Sequence, residues 1–269
     1  MQLNGNLRKL KSEPGAPIRY QLPVGPELVD LNERLGQTIS MRFTGSIHCI
    51  ACGRKTKKSF QQGFCFPCFQ KSPEASECII RPELCEGHRG QGRDPDWEKA
   101  NHAQAHVVYL ASVDAIKVGV TRSSQVPTRW IDQGAEFALI IARTPHRQLA
   151  GQIEVALKGL YKDKTNWQSM LKNKVLPDQP NLKAELPAIK AYLSQYGPDL
   201  VQYIKDRQKQ HHLIYPVDNY PLKVKSLGFD KQELIEGTLL GIRGQYLLLD
   251  QDRVLNIRKH AGYEIELTI

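Results

Sequence analysis

Cys49-Ile50-Ala51-Cys52 and Cys65-Phe66-Pro67-Cys68 are two Cys-x2-Cys knuckles with twelve residues between them. Two such turns can place four thiolates around one tetrahedral zinc ion. Gly53 follows the first knuckle, where a tight turn favours the positive φ that glycine adopts freely. The spacing predicts a zinc ribbon with Cys49, Cys52, Cys65 and Cys68 as ligands. All six cysteines of the chain lie in one short segment. The N-terminal stretch has no apolar leader, so this clustering points to metal rather than disulfides and to a cytoplasmic setting.

"CIIRPELCEGH" supplies Cys78, Cys85 and His88, and "NHAQAH" adds His102 and His106. A second zinc site is expected on Cys78, Cys85, His88 and His102, with His106 as the other choice for the fourth ligand. Two other readings compete. Cys78 can be a small buried hydrophobe. Cys85 and His88 can form a nucleophile pair, which would need a lowered thiol pKa and an accessible cleft.

The loop between the first knuckles carries Arg54, Lys55, Lys57 and Lys58, and Phe60, Phe64, Phe66 and Phe69 follow. Cations bind phosphates and aromatic faces stack on bases. The same phenylalanines can instead be the ribbon's own small core. The chain has 37 Lys and Arg against 28 Asp and Glu, a formal net charge of +9. That balance favours a polyanionic partner, and nucleic acid, DNA or RNA, is the expected one. No run approaches the roughly 20 apolar residues a membrane span needs, so no membrane partner is expected.

"VYLASVDAIKVGVT", Val108 to Thr121, reads as a β-hairpin. With a loop of Ser112-Val113-Asp114, Tyr109 faces Lys117. Gly119 then faces Val107 and leaves an open spot for a close approach. A nearby ammonium lowers a phenol's pKa and makes it a candidate general base. Arg129, on the short helix "PTRWIDQG", can grip a phosphate with two hydrogen bonds. Glu154 lies at the edge of the apolar face of the next helix, where a carboxylate can hold Mg²⁺ or Mn²⁺. Asn166 follows in "KTNW". Each has an ordinary alternative: an interfacial tyrosine with a snorkelling lysine, a surface arginine beside Trp130, and a Glu154–Lys158 pair at helical spacing.

The elements that must position these groups read as an α+β chain. Residues 1–45 hold short strands. Residues 46–105 form a metal-organised segment. Residues 106–175 run strand, strand, helix, strand and an amphipathic helix over 147–162. Residues 176–220 are a helical connector broken at Gly197-Pro198. Residues 221–269 form an antiparallel β meander. The terminal strands are expected to complete a small β-barrel together, making that domain discontinuous.

The order Tyr109, Lys117-Val118-Gly119, Arg129, Glu154, Asn166 resembles the GIY-YIG nuclease superfamily over residues 106–170. "VVY" stands where that superfamily has Gly-Ile-Tyr, and Lys117 replaces its second tyrosine. The residues after Arg129 are Trp130, Ile131 and Asp132, without the following His or Tyr often found there. The resemblance implies a small antiparallel sheet with helices and a metal-dependent endonuclease. Tyr109 and Lys117 would activate water, Arg129 would stabilise the phosphate, Glu154 would hold the metal, and Asn166 would orient the site. The alternative is a catalytically silent module that binds nucleic acid. The whole chain, through "CIIRPELCEGHRG", "KVGVTR" and "PTRWIDQGA", also resembles a prokaryotic domain-of-unknown-function family, number 2797, which implies the architecture.

Overall fold

The computed structural model describes residues 1–161, 166–173 and 180–269. The chain begins with strands β1 (Gln2–Asn6), β2 (Lys11–Glu13), β3 (Arg19–Val24), β4 (Glu27–Asp30) and β5 (Thr38–His48). β6 (Lys55–Thr56) and helix α1 (Phe66–Lys71) lie in the first cysteine segment. A series of 3-10 turns leads to α2 (Pro95–Asn101). Then come β7 (His106–Ser112), β8 (Ile116–Arg122), α3 (Thr128–Asp132), β9 (Phe137–Thr144), α4 (Arg147–Leu157), α5 (Trp167–Leu171) and α6 (Leu186–Tyr196). The chain closes with β10 (His211–His212), β11 (Lys225–Leu227), β12 (Leu234–Arg243), β13 (Tyr246–Leu249), β14 (Arg253–Asn256) and β15 (Tyr263–Thr268).

Two compact units result: Met1–Lys71 with Leu171–Asn173 and Ile214–Ile269, and Ser72–Met170 with Lys174–Leu213. The division falls between Lys71 and Ser72, inside the cysteine-rich segment.

In the first unit the strand order is β1-β15-β5-β12-β13-β14-β11, with β6 branching from β5. The N-terminal β1 and β5 both pair with the C-terminal β15, which joins the two ends of the chain in one sheet. Alternation explains the packing: Tyr263, Ile265 and Leu267 of β15 are buried, with less buried residues between them. The sheet is open, which corrects the barrel. β11 joins β14 in parallel rather than as part of an antiparallel meander, and β11 and β1 are left as its two ends. Closure would require those end strands to pair. β2, β3 and β4 form a separate antiparallel sheet.

The second unit is built on a sheet of order β10-β9-β7-β8. β10, from the segment expected to be helical, pairs with β9. The residues between β9 and the connector helix include 174–179, which lie outside the described residues. One face of the sheet presents Val108, Leu110, Val118 and Leu139, packed with Ala150, Ile153 and Leu157 of α4 and Ile189 and Leu193 of α6. Each of the Val, Leu and Ile side chains contributes about 1.5–3 kcal/mol on burial. The imidazole of His146 caps α4 by accepting the Leu149 N–H at 3.4 Å. The helix stops at Leu157, short of the expected 162 (itself outside the described residues), because Gly159 follows and lets Tyr192 pack against its backbone. No helix among the described residues is long and apolar enough to cross a membrane.

Candidate metal centres and candidate active site

The first four cysteines belong to the first unit. β5 and β6 pair through Ile47–Thr56 and His48–Lys55, and the first knuckle is the turn between them. Gly53 takes a φ of 73°, and its N–H donates to the Cys49 carbonyl at 2.9 Å. The second knuckle follows a Phe60–Phe64 bridge and enters α1, which carries Cys68. The four sulfurs lie within 4.8 Å of one another, and Cys52 Sγ and Cys65 Sγ are 3.8 Å apart. Tetrahedral zinc with bonds of about 2.3 Å requires sulfurs about 3.8 Å apart, so the set fits the ion. Burial pushes the Cys49 thiol up, but backbone donors at Cys65, Cys52 and Ala51 outweigh it and bring the pKa to about 6. Cys68 is pushed up to about 12, chiefly by its hydrogen bond with Cys52. Arg54, Lys55, Lys57 and Lys58 are all exposed on the intervening loop.

The second cluster lies in the second unit and consists of Cys78, Cys85, Glu98 and His102, again within 4.8 Å. His102 Nδ1 is 3.3 Å from Cys85 Sγ and 3.8 Å from Cys78 Sγ. A sulfur and a nitrogen on one tetrahedral zinc stand about 3.6 Å apart, between those two values. Glu98 Oε2 is buried and aimed at the same point as His102 Nδ1. Together with the two sulfurs they form a group that can hold a metal ion.

Among the described residues the group that can hold a metal has Glu98 where His88 is expected. The 3-10 turn Gly87–Arg89 directs the His88 ring onto His146, where the two stack at 3.9 Å. His106 is also left out: it lies fully buried in β7 with Nδ1 against the Gln104 carbonyl, and burial lowers its pKa to about 4. Glu98 leaves a trace in the sequence, since Glu98 and His102 sit four apart and share one helix face. Without zinc the two thiols share one proton. Cys78 falls to about 4, first through its hydrogen bond with Cys85, and Cys85 moves up. Three of these ligands are almost fully buried, so the nucleophile-pair reading lacks its accessible cleft.

The hairpin pairs Tyr109 with Gly119 and Ala111 with Lys117, so its loop is Val113-Asp114-Ala115. The expected loop is off by one residue and the register by two. Both loops are odd, so Tyr109, Lys117 and Gly119 still share one face, with Lys117 diagonal to the tyrosine. Gly119 is not an open spot. The Tyr109 ring lies across it, and a Cβ there would come within 2.6 Å of the phenol oxygen.

Tyr109 is fully buried, accepts a hydrogen bond from Gln133 Nε2 at 2.7 Å, and packs edge-on against Trp130. Burial raises its pKa; the charge of Arg129 and the Gln133 bond pull the other way and lose. This corrects the expected lowering by Lys117. Lys117 is itself pushed down to about 8, first by burial and then by Arg129. Glu154, half-buried, is pushed up to about 7 by burial, against the pull of Lys158, Arg147 and Arg129.

Asn166 stands at the start of α5. Its side-chain oxygen accepts the N–H groups of Gln168 and Ser169 and so caps α5, while its own N–H donates to Asp114. Tyr109 and Lys117 project from the sheet face that carries α3, whereas α4 packs on the other face. β8, which carries Lys117, is an edge strand of this sheet. The charge of Arg129 acts on groups of both faces, on Tyr109, Lys117, Arg147 and Glu154 alike. The charge of Glu83 adds to the upward shift of Glu154.

Two residues unforeseen from sequence tie α4 to the second cluster. Arg147 donates through Nε to the Cys78 carbonyl at 3.0 Å and through Nη2 to the Ile79 carbonyl at 2.9 Å. Gly151 lies against the loop between Cys78 and Cys85 so closely that a Cβ would come within 2.2 Å of the Glu83 nitrogen. Glu154 is less than one turn further along. The metal loop is thus the floor on which the carboxylate helix rests.

Residues 36–265 match the model of a family described as "Protein of unknown function (DUF2797)". No curated protein matches the chain, and no solved structure does.

Proposed function

The chain belongs to the DUF2797 family, and from its own residues we propose that it is a zinc-containing nucleic-acid-binding protein that hydrolyses phosphodiester bonds with one Mg²⁺ or Mn²⁺. The supporting observation is the electrostatic group around Arg129. A carboxylate pushed up to about 7 and a lysine pushed down to about 8 stand in one electrostatic group. Paired titratable groups moved toward neutrality from opposite sides are a mark of acid–base sites. The order of Tyr109, Lys117, Arg129 and Glu154 also resembles that of GIY-YIG nucleases.

Glu154, with Glu83 beside it, would hold the divalent ion, which supplies charge stabilisation to the phosphate when bound. Lys117 is the better base, because a pKa near 8 leaves part of it neutral at physiological pH. Cleavage then rises with pH through about 8. Arg129 neutralises the phosphate. Tyr109 stays protonated and orients Arg129. Arg54, Lys55, Lys57 and Lys58 add phosphate contacts on the ribbon. The protein would act in the reducing cytoplasm, where free thiolates persist.

A second reading is a silent nucleic-acid binder, favoured by the complete burial of Tyr109. Glu154→Gln separates the two. It should cut at least a hundredfold more slowly than wild type while binding as tightly or slightly better, because a negative charge near phosphate is gone. Equal cutting by both proteins refutes the metal assignment.

A further inference from the structure

We infer that the outer face of the zinc ribbon is a platform for single-stranded nucleic acid, with a base stacking on Phe66 and phosphates gripped by Lys55, Lys57 and Lys58. This rests on the nucleic-acid part of the proposed function and is independent of cleavage.

The phenylalanines divide into two sets. Phe64 is 4% exposed and serves as the ribbon's core. Phe66 is 49% exposed although it is a large apolar ring. Phe60 lies 5.4 Å from it and stacks on Phe69 at 5.8 Å with an interplanar angle of 21°. The exposed ring therefore extends an ordered aromatic surface. Lys58 Nζ lies over the Phe60 ring, 5.3 Å from its centre, which places a cation beside the exposed Phe66. Lys55 and Lys57 are exposed on the same loop. None of the three lysines forms an ion pair among the described residues. Their charge is available to an anion.

The geometry selects among polyanions. In a duplex the base faces are already stacked on one another and the grooves present only edges. An exposed aromatic face gains by stacking only on a base that is unstacked, as in single strands and loops. A cationic rim around an apolar centre suits a chain that alternates phosphate and π-face, and stacking tolerates any base.

The test uses the full-length, zinc-loaded protein without Mg²⁺ or Mn²⁺, so that no strand is cut. Anisotropy is measured with labelled oligo-dT, oligo-U and a DNA duplex. Wild type should prefer the single strands. Phe66→Ala should weaken single-strand binding about tenfold, the size of one base–aromatic stack, and leave duplex binding almost unchanged. Phe66→Trp should retain the preference, and the unchanged duplex binding of Phe66→Ala excludes a folding defect. Equal single-strand binding by Phe66→Ala and wild type overturns the inference. Equal affinity for single strands and duplex does the same, since it reduces the face to phosphate contacts. If no nucleic acid binds, the inference falls together with the nucleic-acid reading. If the Phe66 effect appears and the protein never cuts, the inference stands and only the hydrolysis reading is lost.

Discussion

Replacing Lys117 by methionine should stabilise the second unit at neutral pH, and the gain should vanish in alkali. Lys117 is 9% exposed, and burial together with Arg129 lowers its pKa from 10.5 to about 8. One pKa unit corresponds to about 1.4 kcal/mol, so holding the lysine charged inside the fold costs about 3 kcal/mol. Between about 8 and 10.5 the unfolded chain carries the proton and the folded chain does not, so wild-type stability rises with pH across that window. Below 8 both states are protonated and the full penalty applies. Methionine keeps the aliphatic length and carries no charge. Lys117→Met should therefore exceed wild type by about 3 kcal/mol near pH 7, converge from pH 8 upward, and match it near pH 10.5. The three tryptophans, Trp97, Trp130 and Trp167, all lie in the second unit, so urea unfolding followed by tryptophan emission reads that unit alone. Taking the difference between variant and wild type at each pH cancels the other titrations. A difference independent of pH would refute the reasoning, because it would mean that Lys117 keeps its ordinary pKa in the fold.

The metal sets make separate predictions. Wild type should hold two zinc equivalents by metal analysis, Cys49→Ser and Glu98→Gln should each hold one, and His88→Ala should keep both. Loss of zinc from His88→Ala but not from Glu98→Gln would restore the histidine as ligand. Gly151→Val should drive α4 off the metal loop, since even a Cβ meets the Glu83 nitrogen at 2.2 Å. It should destabilise the second unit by about 2 kcal/mol or more and speed zinc loss to a chelator. Unchanged unfolding and zinc release would show that the helix does not rest there.

The parts of this protein legible in the sequence are those set by local spacing. Cys49, Cys52, Cys65 and Cys68 announce their site because each knuckle is a single turn. The second cluster includes Glu98, and a carboxylate in a charged helix looks like solvent-facing charge until α2 buries it. His88 has the right residue type and spacing, but a 3-10 turn sends its ring to His146. The hairpin's shared face survives a one-residue error in the loop because parity alone decides it, whereas the register depends on which residues close the turn. The phenol's pKa could not be read from neighbours on one strand: its direction follows from burial under Trp130 and Gln133, which is a tertiary fact. The open sheet escapes sequence reasoning for a similar reason. β11 reads as one more strand of a meander, and only the fold shows it joining β14 in parallel.

The central claim, phosphodiester hydrolysis, is tested most directly by incubating zinc-loaded wild type with end-labelled single- and double-stranded DNA and RNA. Each substrate is incubated with added Mg²⁺, with added Mn²⁺, and with neither. Omitting the ion is a better control than a chelator, which would also strip structural zinc. Strand cleavage should appear with Mg²⁺ or Mn²⁺ and be absent without them. Tight binding with no cleavage of any substrate under either ion would contradict the claim and leave a silent nucleic-acid binder.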